Sequence, residues 1–236
     1  MGRRNALIEY YFRGEQALAA AGSGAGGPWV KADTSAAGAP TVGGLAGGGL
    51  RMLLASNTEV ENLCVYHGDV LSFDIDDIVS AEFAVKTVAT LDSATSIAFG
   101  LCSARNDDPD ALAAHASFRC IGDNNVVVET DDGTNDNDDV ATGLTLKTGW
   151  KRFRIDFASR NTTIEPPSVS KGRKSNIEFY GSNDNGSLRR VASGTRFDMS
   201  NYSSGLQPYF QLQKTSDNNT DNLDILYCAI EVSLPF

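Results

Sequence analysis

The sequence predicts an all-β, two-sheet antiparallel sandwich or jelly roll behind a Gly/Ala-rich N-terminal arm, and three observations carry that prediction. From Leu50 onward, short β-like runs alternate with Asp/Asn/Gly/Ser turns up to the C-terminus. Several runs are apolar at every second position, which leaves one face needing cover. No long helical pattern separates them, so stacked sheets are expected rather than a parallel βαβ sheet.

Residues 4–21 (RRNALIEYYFRGEQALAA) place Leu7, Ile8, Tyr11, Phe12 and Leu18 at near-helical spacing and end at Gly22. That spacing predicts a short N-terminal amphipathic helix, which Gly14 weakens. Residues 22–49 hold too few bulky apolar side chains for a core and too many glycines for one cheap conformation, so they read as a linker. Domain organisation is therefore an arm over 1–49 and a sandwich over 50–236. Within the arm, Trp29 stands out. It reads either as an anchor docked into a partner's pocket or as a side chain packed on its own domain.

Twelve strands are expected. They are Leu50–Ala55, Asn62–Tyr66, Val70–Ile75, Val79–Thr90, Ser96–Ser103, Ala116–Ile121, Val126–Thr130, Trp150–Phe157, Ile177–Tyr180, Leu188–Ala192, Gln207–Lys214 and Leu223–Val232. Alternation is clearest in Ala81–Lys86, Trp150–Phe157 and Tyr209–Gln213. Pro109–Ala114 reads as a single helical turn at a sandwich corner.

The net charge of −10 argues against a duplex nucleic-acid binder, which needs surplus Lys and Arg on its binding face. Charge is also segregated. Residues 69–139 carry 16 Asp/Glu against 3 Lys/Arg, and residues 147–196 carry 11 Lys/Arg against 4 Asp/Glu. Opposite-sign strands folded side by side account for this better than head-to-tail contact between copies. Cys64, Cys102, Cys120 and Cys228 form no CxxC pair and sit in apolar contexts, which predicts buried free thiols and folding in a reducing cytoplasm. No continuous apolar region follows Met1-Gly2-Arg3-Arg4, so no secretory signal is expected. The sequons at Asn161, Asn185, Asn201 and Asn218 accordingly read as turn chemistry.

The catalytic motifs the sequence approaches are incomplete. Gly22–Gly27 matches GxGxxG without the strand before it or the helix after it, and Gly43–Gly48 lacks the Lys-Ser/Thr of a phosphate loop. His67 and His115, the two histidines, read as surface or capping residues. Asp74 and Asp76 lie on one strand face but without the Glu-x-Asp-x-Glu array of sandwich glucanases, so they read as outward-pointing acids before a turn. The loop Glu129–Asp139 is oxygen-rich enough to suggest Ca²⁺, yet Gly133 comes too early for an EF-hand and the closing Glu is missing, so a solvated hairpin loop is favoured. No catalytic, cofactor-binding or metal residue is assigned, and the chain is expected not to be an enzyme.

Four phrases together shift the expectation. Pro28–Gly38 (PWVKADTSAAG), Leu71–Asp77 (LSFDIDD), Val126–Val140 (VVVETDDGTNDNDDV) and Phe197–Ser200 with Gly205–Tyr209 resemble a family of tailed-bacteriophage virion proteins. The resemblance spans roughly residues 28–232 and leaves 4–21 outside. It implies a concanavalin A-like (laminin G-like) jelly roll acting as capsid decoration or another accessory virion protein. It further implies localisation in the virion, partnership with the major capsid protein, other virion proteins or sister copies, and attachment through the arm or sheet edges. On that view, removal of residues 1–49 leaves a folded sandwich that no longer joins particles. The alternative is a carbohydrate-binding or host-adhesion module of a phage head or tail fibre, with Trp150, Tyr180, Tyr202 and Tyr209 as an aromatic platform. Alternating aromatics in strands are more often core.

Overall fold

The computed structural model describes residues 4–12, 18–20, 28–37, 39–157, 174–182 and 186–234. In chain order the strands are β1 (Arg4–Tyr11), β2 (Ala19–Ala20), β3 (Val30–Asp33), β4 (Thr41–Gly44), β5 (Leu50–Leu53) and β6 (Glu61–Tyr66). They continue as β7 (Phe73–Asp74), β8 (Ile78–Thr87), β9 (Thr95–Cys102), β10 (His115–Ile121), β11 (Asn125–Asp131) and β12 (Asp136–Thr145). The remainder are β13 (Lys151–Asp156), β14 (Glu178–Gly181), β15 (Arg189–Val191), β16 (Gly205–Lys214) and β17 (Asn222–Leu234). One helical element is described, a 3₁₀ turn at Pro109–Ala111 where the sequence predicted a single turn.

Sheet A has the order β15-β14-β13-β8-β17-β5-β4, and β1 pairs with the second half of β17. Sheet B has the order β12-β11-β10-β9-β16-β6-β3-β2, with β7 against the start of β16. Pairings are antiparallel except that between β2 and β3. The chain therefore folds as the predicted two-sheet sandwich. Alternation builds it: on β13, Phe153 and Ile155 are fully buried while Arg152 and Arg154 turn away from the core. Between the sheets a chain of rings crosses the core, with centroid distances of 4.9 Å for Phe118–Phe153, 5.0 Å for Phe99–Phe153 and 5.8 Å for Phe83–Phe210. Edge-to-face and offset contacts of this kind add stabilisation beyond the area they bury.

The N-terminal segment departs from expectation. Residues 4–11 form a strand and not a helix: Ala6, Ile8 and Tyr10 pack on the core while Leu7, Glu9 and Tyr11 face outward. Apolar residues on both faces mimicked helical spacing, and an open edge on β17 decided the outcome. Residues 13–17 and 21 of the expected helix lie outside the described residues, as does Gly22–Gly27. What is described of the expected linker is built into the sheets, because β3 pairs with β6 and β4 with β5. Trp29 packs on its own domain, 7% exposed, against Phe12, Tyr10, His67 and Phe210. Part of the glycine content serves one tight turn before β5, where Gly47, Gly48 and Gly49 hold φ values of 91°, 100° and 114°.

Two further differences matter. Val70–Ile75 contributes only the two residues of β7, since Val70 and Leu71 are exposed. Residues 136–145, the first four of them read as acidic loop, form edge strand β12, whose exposed Asp136, Asp138 and Asp139 hide the alternation. Opposite charges of the two regions meet within the chain: β13 pairs with β8, Arg152 bonds Glu82, and Lys174 meets Asp76. All four cysteines are free and buried, and burial pushes the Cys64 and Cys120 thiols up to about 12. Among the described residues no helix is long and apolar enough to cross a membrane.

Candidate functional site

Both histidines are buried, against the expectation that they cap or lie on the surface. His67 is fully buried among Trp29, Tyr10 and Phe73, with ring centroids at 4.5, 5.3 and 6.2 Å, and this desolvation drags its imidazole down to about 4. His115, 1% exposed on the outer face of sheet B, puts Nε2 3.1 Å from Glu129 Oε1. Arg119 donates to both Glu129 and Asp110. Burial would raise the Glu129 carboxyl, but hydrogen bonds from His115 and Arg119 outweigh it and hold the group below its ordinary range. A carboxylate held charged in this way is a poor proton donor, so the cluster has the chemistry of an internal ion network rather than of an acid–base pair.

The acidic loop turns its oxygens onto protein amides. Asp132 accepts from the backbone N–H groups of Thr134, Asn135 and Asn201 at 3.0, 2.7 and 2.9 Å, and Asp131 accepts from that of Gly133 at 2.7 Å. Those amides, as hydrogen-bond donors, take the place a cation would need. No group of three or more His, Cys, Asp or Glu side chains is poised to hold a metal among the described residues. Asp74 is exposed and accepts from Asp76 N, whereas Asp76 turns to the buried ammonium of Lys174 at 2.8 Å instead of pointing to solvent.

The expected aromatic platform is not assembled. Tyr209 is 1% exposed on the outer face of sheet B, and Tyr202 packs on the core with its hydroxyl donating to Gly205 O. Trp150 has the Lys86 ammonium 4.6 Å over its ring, and the Tyr180 hydroxyl donates to Glu178.

The open site is a trough of about 500 Å³ across β1, β17, β8 and β13 on the outer face of sheet A. Register places Glu9, Ala229, Glu82 and Arg154 in one row, with Tyr11, Tyr227, Ala84 and Arg152 in the next. Small residues Ala229 and Ser80, both buried, make the floor. The Tyr11 and Tyr227 rings meet at 5.6 Å along one wall. Glu82 Oε1 accepts from Arg152 Nε at 3.0 Å, from Arg152 Nη2 at 2.8 Å and from the Tyr227 hydroxyl. Glu231 accepts from Asn5 and Ser80, and Glu9 accepts from the Tyr11 hydroxyl. Burial first, and Glu82 second, push the Tyr227 hydroxyl far above its ordinary range, so it stays a neutral donor. Glu82 is thus paired with Arg152, while Glu9 and Glu231 are held by neutral donors, a fixed array of acceptors and donors beside an aromatic wall. Tyr11 and Tyr227 were missed in the sequence because each sits beside core residues in an apolar run; the outward position of Glu9 between Tyr10 and the pair Ile8/Leu7 was the available signal.

No protein-family model matches the chain, and no curated protein matches it. Solved structures do. A native glycosidic hydrolase superposes with a TM-score of 0.60 at 11% identity, covering 98% of this chain and 97% of its own. A Bacillus licheniformis beta-glucanase gives 0.57 at 12% identity, with 96% and 98% covered. The carbohydrate recognition domain of Emp47p gives 0.55 at 13% identity, with 92% and 95% covered. At these identities the likeness is one of fold, and the fold is a concanavalin A-like jelly roll, as the sequence phrases implied. The comparisons give no support to the virion setting.

Proposed function

We propose that this chain is a non-catalytic carbohydrate-binding jelly roll that takes a neutral glycan in the trough of sheet A. The observation that carries the reading is the trough itself: the Tyr11/Tyr227 wall stands beside the locked Glu82–Arg152 pair on a floor of small residues. Sugar rings present apolar faces to aromatics and hydroxyls to planar polar groups, which is the chemistry this surface offers. A neutral ligand suits it because Glu82 and Arg152 neutralise one another and Glu9 and Glu231 already accept from neutral donors. The names of the superposing proteins, a carbohydrate recognition domain and glycosidases, support the class. Hydrolysis is not proposed, since the trough carboxylates serve as fixed acceptors. A glycan array followed by calorimetry tests it: micromolar to millimolar binding of neutral oligosaccharides without their cleavage is expected, and steady release of reducing ends would move the chain to the enzymes.

A second reading is carried by the sequence phrases at Pro28–Gly38, Leu71–Asp77, Val126–Val140 and Phe197–Ser200 with Gly205–Tyr209. On it the same domain is displayed on a phage particle, in contact with the major capsid protein, other virion proteins or sister copies. Electron microscopy of virions with and without this protein tests it, and particles lacking matching density would remove it.

A further inference from the structure

The outer face of sheet B is covered, and by an unusual connection. Cys102 and His115 are directly opposed at the end of the β9–β10 hairpin, yet the residues between them, 103–114, form a long loop where two to five would suffice. This loop lies down on the sheet. Gln211 Nε2 donates to Asn106 O and Asp107 O at 3.0 Å each, Asn62 Nδ2 donates to Asp107 O at 3.1 Å, and Gln213 Nε2 donates to the same carbonyl. Leu112 joins a buried cluster with Cys64, Tyr66, Ala98, Cys102 and Tyr209. Arg105 and Arg119 tie the rim through Asp107 and Asp110, whose side chains are more than half exposed.

The cover fits the face imperfectly. The loop offers no hydrogen-bond partner to Ser117 Oγ or to the Tyr209 hydroxyl, 0% and 1% exposed, which have only each other, and none to His115 Nδ1. Buried polar atoms are nearly always paired, so these mark a surface whose hydrogen-bonding capacity exceeds what its cover supplies. Beneath the loop stand two tyrosines, three amide side chains and a serine hydroxyl. Main-chain carbonyls of the loop occupy the amide donors.

We propose that this face is a second saccharide-binding surface, distinct from the trough, which residues 103–114 hold shut by occupying the donors that a neutral sugar chain would use. A saccharide fits better than an extended peptide, because peptide recognition by strand addition needs a sheet edge and this is a sheet face. Amides that both donate and accept, set beside tyrosine rings, match the hydroxyls and apolar faces of sugar rings. Of the rim ion pairs, Arg105–Asp107 lies within the loop, and Arg119–Asp110 joins the loop to β10 through a carboxylate that is more than half exposed. Pro109, Leu112 and Ala114 are the loop's buried apolar footholds.

The test uses the full chain and its variant Asp110→Asn/Leu112→Ser on an array of neutral oligosaccharides, with hydrogen exchange as a second readout. In the unaltered chain, amides of residues 103–114 should exchange well before those of β9 and β10; exchange only at the rate of global unfolding overturns the proposal, whether or not the variant folds. The variant should gain at least tenfold in affinity for a neutral saccharide. Adding Gln211→Ala should remove the gain, whereas adding Tyr227→Ala should leave it, which separates this face from the trough. A folded variant with a freely exchanging loop and no saccharide gain, or a gain only for peptides, overturns the proposal.

Discussion

Replacing His67 by Phe should make the fold less sensitive to mild acid, and the size of the effect follows from the site. His67 is fully buried in a box of Trp29, Tyr10 and Phe73, and its imidazole titrates at about 4, against an ordinary value of ~6.5. The native state therefore prefers the neutral ring, while the unfolded chain takes up a proton below ~6.5. Stability from this residue is complete above that pH and is lost as pH falls through the window down to about 4. A tenfold change in proton affinity is worth ~1.4 kcal/mol, so the full loss is ~3 kcal/mol, of which ~2 kcal/mol has gone by pH ~5. Urea unfolding at pH 7.5 and pH 5.0 measures it. The original chain should lose ~2 kcal/mol more between the two than His67→Phe does, because other acid-sensitive groups are common to both. Equal losses would refute the burial argument.

Lys214 is fully buried with Nζ on Ala55 O at 2.5 Å, Asn57 O at 2.7 Å and Asn219 O at 3.3 Å, and 3.8 Å from the equally buried Glu61. Lys214→Met should cost ~3–5 kcal/mol in urea unfolding by stranding that carboxylate, and adding Glu61→Gln should recover part of it. Gly100 passes so close to β10 that a Cβ would lie 2.3 Å from Ala116 O, so Gly100→Ala should lower stability by ~2 kcal/mol or more in thermal melts. Trp29→Ala should cost ~3–5 kcal/mol, and a chain lacking residues 1–49 should fail to give a cooperative melt, because β1, β3, β4 and Trp29 go with them. A soluble, cooperative truncated domain would return that segment to the status of an arm.

The sandwich was legible because β8, β13 and β16 alternate strongly over long runs and Phe83, Phe153 and Phe210 fall on their inner faces. What was hidden depends on contacts far apart in sequence. Arg4–Tyr11 looks helical until β17 supplies an edge, and Trp29 looks stranded until Phe210 and His67 close around it. The same cause displaced the candidate site. Trp150, Tyr180, Tyr202 and Tyr209 have the right chemistry, but Lys86, Glu178, the core and residues 103–114 engage them. Tyr11 and Tyr227 are brought together across 216 positions by the β1–β17 pairing, which no local pattern announces.

The central claim concerns the trough, and titration calorimetry of the full chain and of Tyr227→Ala with the strongest neutral oligosaccharide from an array tests it most directly. Removing one aromatic wall should weaken binding at least tenfold, the ~1.4 kcal/mol expected of a lost ring contact in a sugar site, while leaving the unfolding transition cooperative. Unchanged affinity in a folded variant, or binding restricted to acidic glycans, would contradict the account.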